Sequence, residues 1–410
     1  MKQIIEAERK NECKKFCELY AWLKKPSREI GNGRREILDH IDKVRMDNKG
    51  SASSAVILDS LQMKLAETSH ELLSTLLMAD TTHISEDEAA LYDRQIRLWG
   101  LEAQQRMRIS SILISGMRGL SNEICKNLVL AGIGSITIID HNVVTEEDLG
   151  TQFFVTEADI GKNKAIVSAD RIRQLNPRVV VTADNNDIRA KSDDFFKTFD
   201  LVCLTDCDPY TMIRINEICR IFDKKFYAAC TYGFYGYIFC DLKQHEYIVE
   251  RKVAIPHKDE HEITKLKKND EYVSFQCVLS KADWTEISDR KLKKISPLLW
   301  AIQILWKFHQ EMGRLPATND NSDVEKLLSL RNSYLQTNHI NDLLVTDEFL
   351  ITLASFALTE LTPICAILGG VLAQDILNVL SKKGAPINNL FVFDGLQGDE
   401  NYLILSFVFS

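Results

Sequence analysis

The chain has 410 residues, of which 45% are hydrophobic and 26% charged, and its formal net charge is −8. This composition predicts an ordinary globular chain, long enough for one large α/β domain or two smaller ones. The acidic balance argues against nucleic acid as the main partner, and we expect neither a membrane-spanning segment nor a secretory signal in the charged N-terminus.

The first 85 residues differ from the rest because they are rich in Lys and Glu and are interrupted by Gly/Ser-rich stretches. Leu58, Leu61 and Leu65 recur at helical spacing, which predicts one or two amphipathic helices. We therefore expect residues 1–85 to be a helical extension, and the sequence assigns it no role.

A helix is predicted to begin at Ser85, because Ser85 followed three residues later by Glu88 is a capping-box pattern. The residues after it form one apolar stripe at i+3/i+4 spacing: Ala89, Tyr92, Ile96, Trp99 and Ala103. Arg94 and Arg97 fall off that stripe, so we expect both to point away from the core of their own domain.

From residue 109 to 206 strands and helices alternate, which predicts a largely parallel sheet covered by helices on both faces. Two β-rich runs around Gly233 read as adjacent strands. The charged segment at about 249–275 is predicted to be a surface loop or mobile connector, and residues 281–382 to be mostly helical. The runs NNLFVFDG and YLILSFVF predict a last pair of strands, so residues 86–410 are expected to form one α/β domain.

The turn Gly116-Met117-Arg118-Gly119-Leu120-Ser121 has the outline of a nucleotide-binding βαβ unit. The second glycine of such a turn lets the main chain approach phosphates, and the third lets the helix pack close to the strand. Arg118 stands at the second position and Ser121 at the third. Taken alone, the turn leaves nucleotide binding open.

Several longer stretches of the sequence resemble those of a known protein family. They are YDRQIRLWG at 92–100, the turn at 116–121, the stretch from Asp140 to Phe153, IGKNKA at 160–165, Leu204-Thr205-Asp206, PICAILGGVLAQDIL and NNLFVFDG. In this order they resemble the ubiquitin-like-protein-activating enzymes, whose adenylation domain has a Rossmann-like, ThiF-type fold with a mixed, largely parallel sheet. Within that family, residues 85–400 are most similar to the smaller, cysteine-less subunits of SUMO-activating enzymes.

The resemblance implies adenylation of a small protein modifier with ATP and magnesium, but it also implies that this chain's own site is vestigial. Gly116, Gly119, Asp140, Lys164 and Asp206 match positions of the ATP site in active members. Three further positions depart from the pattern: Arg118 fills a glycine position, Asp148 stands for an Asn and Thr151 for an Arg. We therefore expect no productive ATP or metal site in this chain and expect ATP and Mg to be bound by a partner subunit.

Arg94 is the residue to which the resemblance gives a catalytic role. In the family, the arginine of the Tyr-x-Arg-Gln helix reaches across the dimer interface to ATP bound by the catalytic subunit. The implied partners are that catalytic subunit, in an obligate heterodimer, and SUMO through the complex, with no nucleic acid and no membrane. The alternative is a surface arginine paired with Asp93 or Asp87, and whether Arg97 assists Arg94 stays open.

Ten cysteines stand at scattered spacings with no Cys-x-x-Cys pair, which favours a reducing compartment; we expect the nucleus, with the cytoplasm as the alternative. Cys277 is the one cysteine near the place where active members insert a catalytic-cysteine domain, and the segment is too short for such a domain. The others that lie in apolar stretches are predicted to be buried packing residues: Cys203, Cys230, Cys240 and Cys365.

Three other functions stay as alternatives. A homodimeric enzyme that adenylates a sulfur-carrier protein explains Asp140, Lys164 and Asp206 but not Arg118, Asp148 and Thr151. A dinucleotide-dependent oxidoreductase rests only on the opening βαβ unit. A partner subunit for the modifier NEDD8 is expected to be longer, with a large helical insertion that this chain lacks.

Overall fold

The computed structural model describes residues 84–254, 261–280, 284 and 289–397. The predicted helical extension, apart from its last two residues, and the predicted strand YLILSFVF lie outside these residues.

The first helical segment begins where the sequence predicts it. The Ser85 hydroxyl accepts the Glu88 backbone N–H at 3.3 Å, and the Glu88 carboxylate accepts the Ser85 backbone N–H at 3.2 Å, so the capping box is confirmed. The stretch from Glu86 to Arg108, which carries most of the predicted apolar stripe, is not one continuous helix. Three short helices follow instead, α1 (Glu86–Leu91), α2 (Asp93–Trp99) and α3 (Leu101–Arg108), divided at Tyr92 and at Gly100.

Each division has a local cause. Gly100 has φ +86°, a conformation that ends an α-helix and that side-chain-bearing residues rarely adopt. Tyr92 turns its ring onto Gly132, where an added Cβ would lie 2.5 Å from the ring, and its hydroxyl accepts a hydrogen bond from Asn176 at 2.8 Å. Tyr92 and Ala103 are buried, whereas Ala89, Ile96 and Trp99 are half-buried, so the predicted apolar stripe faces the core only in part.

The central sheet has seven strands, and the predicted α/β class is confirmed. In chain order these are β1 (Ser111–Ser115), β2 (Ser135–Ile139), β3 (Val180–Asp184), β4 (Leu201–Thr205), β5 (Lys225–Tyr232), β6 (Tyr235–Asp241) and, after a separate two-stranded hairpin, β9 (Leu390–Asp394). Their order across the sheet is β3-β2-β1-β4-β5-β6-β9. The first five run parallel, and β6 and β9 are each antiparallel to their neighbour.

Helices cover both faces of the sheet, as the alternation predicts. Those of the parallel part are α4 (Gly119–Leu130), α5 (Lys164–Leu175) and α6 (Pro209–Ile221). Those of the later part are α7 (Phe275–Ser280), α8 (Asp289–Leu292), α9 (Pro297–Met312), α10 (Asn321–Thr337), α11 (Asp347–Ser355) and α12 (Thr362–Ser381). Two apolar cores result: α4, α5 and α12 pack on one face of the sheet, and α6, α9 and α11 on the other.

Helix α12 packs against α4, and Gly369 makes this possible: a Cβ there would lie 2.6 Å from the Cβ of Glu123. The adjacent Gly370 is not constrained in this way, because a Cβ there would meet nothing within 4 Å. Contrary to the sequence expectation, α12 is long and apolar enough to span a membrane, with a mean hydropathy of 1.7. Because 67% of that stretch is buried inside the protein, it has the burial of a core helix.

The charged connector predicted from about residue 249 is not a loop in the described residues. Strands β7 (Gln244–Ala254) and β8 (His261–Glu271) pair antiparallel, from Gln244 opposite Glu271 to Ala254 opposite His261. Several exposed positions carry charged side chains, as in the Lys267–Glu246 pair, while His245 and Tyr247 are buried. The high charge therefore hid the alternation of exposed and buried residues from Gln244 to Tyr247 in β7, which is typical of a strand.

His245 gives this hairpin a pH-dependent stability. Burial, and then the nearby Lys225 and Lys382, lower the pKa of His245 to about 4, although Asp270 acts in the opposite direction. An unfolded histidine has a pKa of about 6.5, so its contribution to stability is fully present above that pH and is lost as the pH falls toward 4.

We expect this group to make the free energy of unfolding about 2 kcal/mol smaller at pH 5 than at pH 7. Urea unfolding at both pH values, with His245→Phe beside the wild type, measures the effect, because the substitution removes the titration while keeping a ring. Each protein is compared with itself across pH, so the change in ring size cancels. An equal pH dependence in the two proteins contradicts the assignment.

Candidate functional site

A cleft of about 350 Å³ opens at the carboxyl ends of β1, β2 and β4. The strand order reverses between β1 and β4, and ligands of open α/β sheets bind in the crevice beside such a reversal. The lining includes four of the residues predicted from the sequence: Gly116, Asp140, Lys164 and Asp206. Gly119 begins α4 beside it.

The turn after β1 retains the backbone of a nucleotide-binding turn. Gly116 has φ +88°, and an added Cβ would lie 2.6 Å from the hydroxyl oxygen of Thr205, so only glycine fits. Asp140, at the end of β2, accepts the backbone N–H of Met117 at 2.7 Å. The Ser121 and Thr205 hydroxyls lie 2.7 Å apart, which joins α4 to β4 at the position of the third glycine. Asp140 and Ser121 therefore hold the turn in shape.

Arg118 points into the cleft between two carboxylates. Its guanidinium lies 3.4 Å from Glu360 and 3.9 Å from Asp206, and it donates to the backbone oxygen of Leu358. Burial works against its charge, but the two carboxylates outweigh that effect and raise the pKa of Arg118. The charge that the sequence placed in the glycine turn is thus already balanced from within the chain.

Glu360 is a site residue that the sequence analysis missed. It precedes α12 and accepts the backbone N–H groups of Gly119 at 3.1 Å and Leu120 at 3.4 Å. The Thr151 hydroxyl donates to the same carboxylate at 3.2 Å. Because 240 residues separate Glu360 from Leu120, no local pattern signals the contact.

Lys164 and Asp148 form a buried ion pair. The Lys164 ammonium lies 2.7 Å from the Asp148 carboxylate, and the side chains are 10% and 8% exposed. Asp148 also accepts the backbone N–H of Thr145 at 2.8 Å. Lys164, which the resemblance matches to an ATP-site position, therefore holds the loop after β2 against the start of α5.

Asp206 ends β4 in a left-handed conformation, with φ +54°. The Cys230 thiol donates to it at 3.0 Å, and its other carboxylate oxygen has no hydrogen-bond partner among the described residues. Burial raises the pKa of Asp206; Arg118 offsets this only in part, and the Glu360 carboxylate adds to it.

The cleft has little free positive charge to offer a polyphosphate. Three lysine or arginine side chains line it, and each is paired with a carboxylate of the chain: Arg118 with Glu360, Lys164 with Asp148, and Arg189 with Asp187. Among the described residues no group of His, Cys, Asp and Glu side chains has a metal-binding arrangement. The geometry is that of a cleft whose lysine and arginine side chains are held in internal ion pairs.

Arg94 is exposed on α2 and is not among the residues that line this cleft. Among the described residues it has no hydrogen bond or ion pair, and Asp93, one of its expected alternative partners, pairs with Arg97 at 2.9 Å instead. Leu98, one turn further along α2, is 71% exposed, and Leu91 is 60% exposed. A free guanidinium flanked by exposed leucines suits a surface that another protein covers.

The described cysteines are packing residues where the sequence predicts them. Cys203, Cys230, Cys240 and Cys365 are buried, and burial raises the pKa of Cys365 to about 12. Such thiols are poor nucleophiles at neutral pH because the reactive form is the thiolate. Cys277 is half-buried on the short helix α7.

Comparison with known proteins places this geometry in a family context. The family model described as "ThiF family" matches residues 92–406. A rat protein named "SUMO-activating enzyme subunit 1" is 40% identical over 331 residues, covering 77% of this chain and 93% of its own length. Proteins of the same name from Xenopus tropicalis and human are 42% and 39% identical, over 76% and 77% of this chain and 94% of each relative.

Proposed function

The chain belongs to the ThiF family, and from that premise we propose that it is the regulatory subunit of a heterodimeric SUMO-activating enzyme. In this role it assembles with a catalytic subunit that binds ATP and magnesium and adenylates the modifier. The name shared by the rat, frog and human relatives favours this function over the sulfur-carrier, oxidoreductase and NEDD8 alternatives.

One observation supports the assignment of ATP to the catalytic subunit rather than to this chain: the cationic side chains of the cleft are neutralised by carboxylates of the same chain. Adenylation needs cations that are free to contact the phosphates, because these contacts stabilise the charge that develops during the reaction. Here the lysine and arginine side chains that line the cleft are held by Glu360, Asp148 and Asp187. ATP that bound would have to break those pairs and lie beside their carboxylates.

Arg94 supplies the opposite arrangement, a cation without an internal partner among the described residues. We assign it to the ATP phosphates held by the catalytic subunit. An arginine delivered from a second chain stabilises charge in the transition state and makes the reaction depend on assembly. Its exposed leucine neighbours support burial of this surface in the heterodimer.

The full chain alone is expected to bind no ATP up to millimolar concentration in the presence of magnesium, because the cleft presents balanced ion pairs. Isothermal titration calorimetry measures this, with the assembled heterodimer as the positive control. Recovery of the chain from cell extract, followed by identification of its stoichiometric partner, tests the assembly. Micromolar ATP affinity of the isolated chain, or recovery without a larger activating-enzyme subunit, would instead support the homodimeric alternative.

A further inference from the structure

Glu360 places a buried carboxylate at the N-terminus of α4. Its side chain is only 5% exposed, and its carboxylate lies against the first turn of α4, a helix of 12 residues. The N-terminus of such a helix, after a glycine turn, is where nucleotide-binding folds hold phosphate, because free N–H groups and the positive end of the helix dipole meet there.

The donors around Glu360 form a complete anion site. Gly119 and Leu120 give backbone N–H groups, Thr151 gives a hydroxyl, and the Arg118 guanidinium lies 3.4 Å away. Backbone N–H groups, a hydroxyl and an arginine are the groups that commonly coordinate a phosphate oxygen. A carboxylate oxygen has the same charge sign and hydrogen-bonding capacity, so it satisfies the same donors.

We propose that Glu360 is a built-in ligand of the former phosphate site, its carboxylate taking the place of a nucleotide phosphate at the start of α4. The site is then permanently occupied, because a tethered ligand acts at a high effective concentration and free phosphate must displace it. The substitution in the glycine turn follows from this occupation. Arg118 provides the cation that balances Glu360 and Asp206, where active relatives need an open backbone.

Because Glu360 is part of the chain, its position at the start of α4 also has a structural consequence. Glu360 lies two residues before the first residue of α12, so its carboxylate joins the segment that enters α12 to the start of α4, while Gly369 brings the two helices into close contact further along. The fold around the cleft is therefore complete without a nucleotide. This inference concerns the chain's own fold and holds whichever modifier or partner the protein serves.

Removal of the internal ligand should uncover an anion site. In the full chain, Glu360→Ala is expected to lower the melting temperature, and millimolar pyrophosphate should then raise it by roughly 2–4 °C more than sodium chloride of equal ionic strength. In the wild type, pyrophosphate and sodium chloride should act equally, because Glu360 already fills the site. Glu348→Ala removes an exposed carboxylate from the first turn of α11 and should behave like the wild type.

Glu360→Gln keeps the shape of the side chain while removing its charge, so it serves if the alanine variant does not fold. It should lower the melting temperature less than the alanine variant and respond to pyrophosphate more than the wild type does. Two results overturn the proposal: an unchanged melting temperature in both variants, or a pyrophosphate response equal to that of the wild type. Failure of the proposed SUMO-activating function would leave these outcomes unaffected, since no partner or modifier enters the measurement.

Discussion

Arg94→Ala is expected to slow ATP–pyrophosphate exchange by the assembled heterodimer by about 100- to 1,000-fold while the two chains stay associated. That factor corresponds to about 3–4 kcal/mol of transition-state stabilisation, the size expected for one well-placed donor to a developing charge. The expectation follows from the free, exposed guanidinium on α2, which stabilises nothing within the described part of its own chain.

Two matched variants separate this role from a general effect of surface charge. Arg97→Ala removes an arginine from the same helix, but Arg97 is held by Asp93 at 2.9 Å, so exchange should change by less than about 3-fold. Arg94→Lys keeps the charge but loses the planar, two-pronged donor, and should recover only part of the rate.

Size-exclusion chromatography of each pair shows whether assembly is intact before exchange is measured. A normal exchange rate in intact Arg94→Ala heterodimer contradicts the assignment of Arg94 to the partner's ATP. A loss in Arg97→Ala equal to that in Arg94→Ala would mean that the whole face of α2 matters rather than one guanidinium.

Local signals in the sequence were enough to predict the main elements of the fold and the place of the cleft. Alternating strands and helices predicted the parallel sheet, the Ser85–Glu88 pattern predicted a helix start, and the glycine turn predicted the place of the cleft. Each of these depends on neighbours within a few residues, where backbone propensity and side-chain capping act. The family resemblance then implied that Arg118, Asp148 and Thr151 depart from the pattern of an ATP site.

Such local signals could not predict contacts between residues that are far apart in the sequence. The sequence shows Arg118 only as a side chain at a glycine position, and its partner Glu360 stands more than 200 residues later in the chain. The sequence shows Asp148 only as a departure from an Asn position, whereas the structure pairs it with Lys164. Charge also concealed the β7–β8 hairpin, whose exposed positions carry the lysines and acids that suggested a loop. Pairing across the fold, rather than composition, decides what these charges do.

The Lys164–Asp148 pair gives the second large expected effect. Lys164→Met should lower the free energy of unfolding by about 3–5 kcal/mol, because it leaves the buried Asp148 carboxylate without its cation. Urea unfolding of the full chain measures the loss. Lys162→Met is the matched control: Lys162 also pairs with an aspartate, Asp159 at 3.1 Å, but its side chain is 59% exposed, so its loss should cost under about 1 kcal/mol.

The same variant distinguishes a structural lysine from a working phosphate ligand. If Lys164 only holds the loop after β2, adding Asp148→Asn to Lys164→Met should restore part of the lost stability, since the unpaired charge disappears. Exchange by heterodimer containing the folded Lys164→Met chain should then stay within about 2-fold of the wild type. A large loss of exchange with little loss of stability would reverse the assignment, because a lysine that contacts ATP lowers the reaction barrier rather than stabilising the fold. The ratio of the two effects therefore decides whether this cleft is architecture or a second nucleotide site.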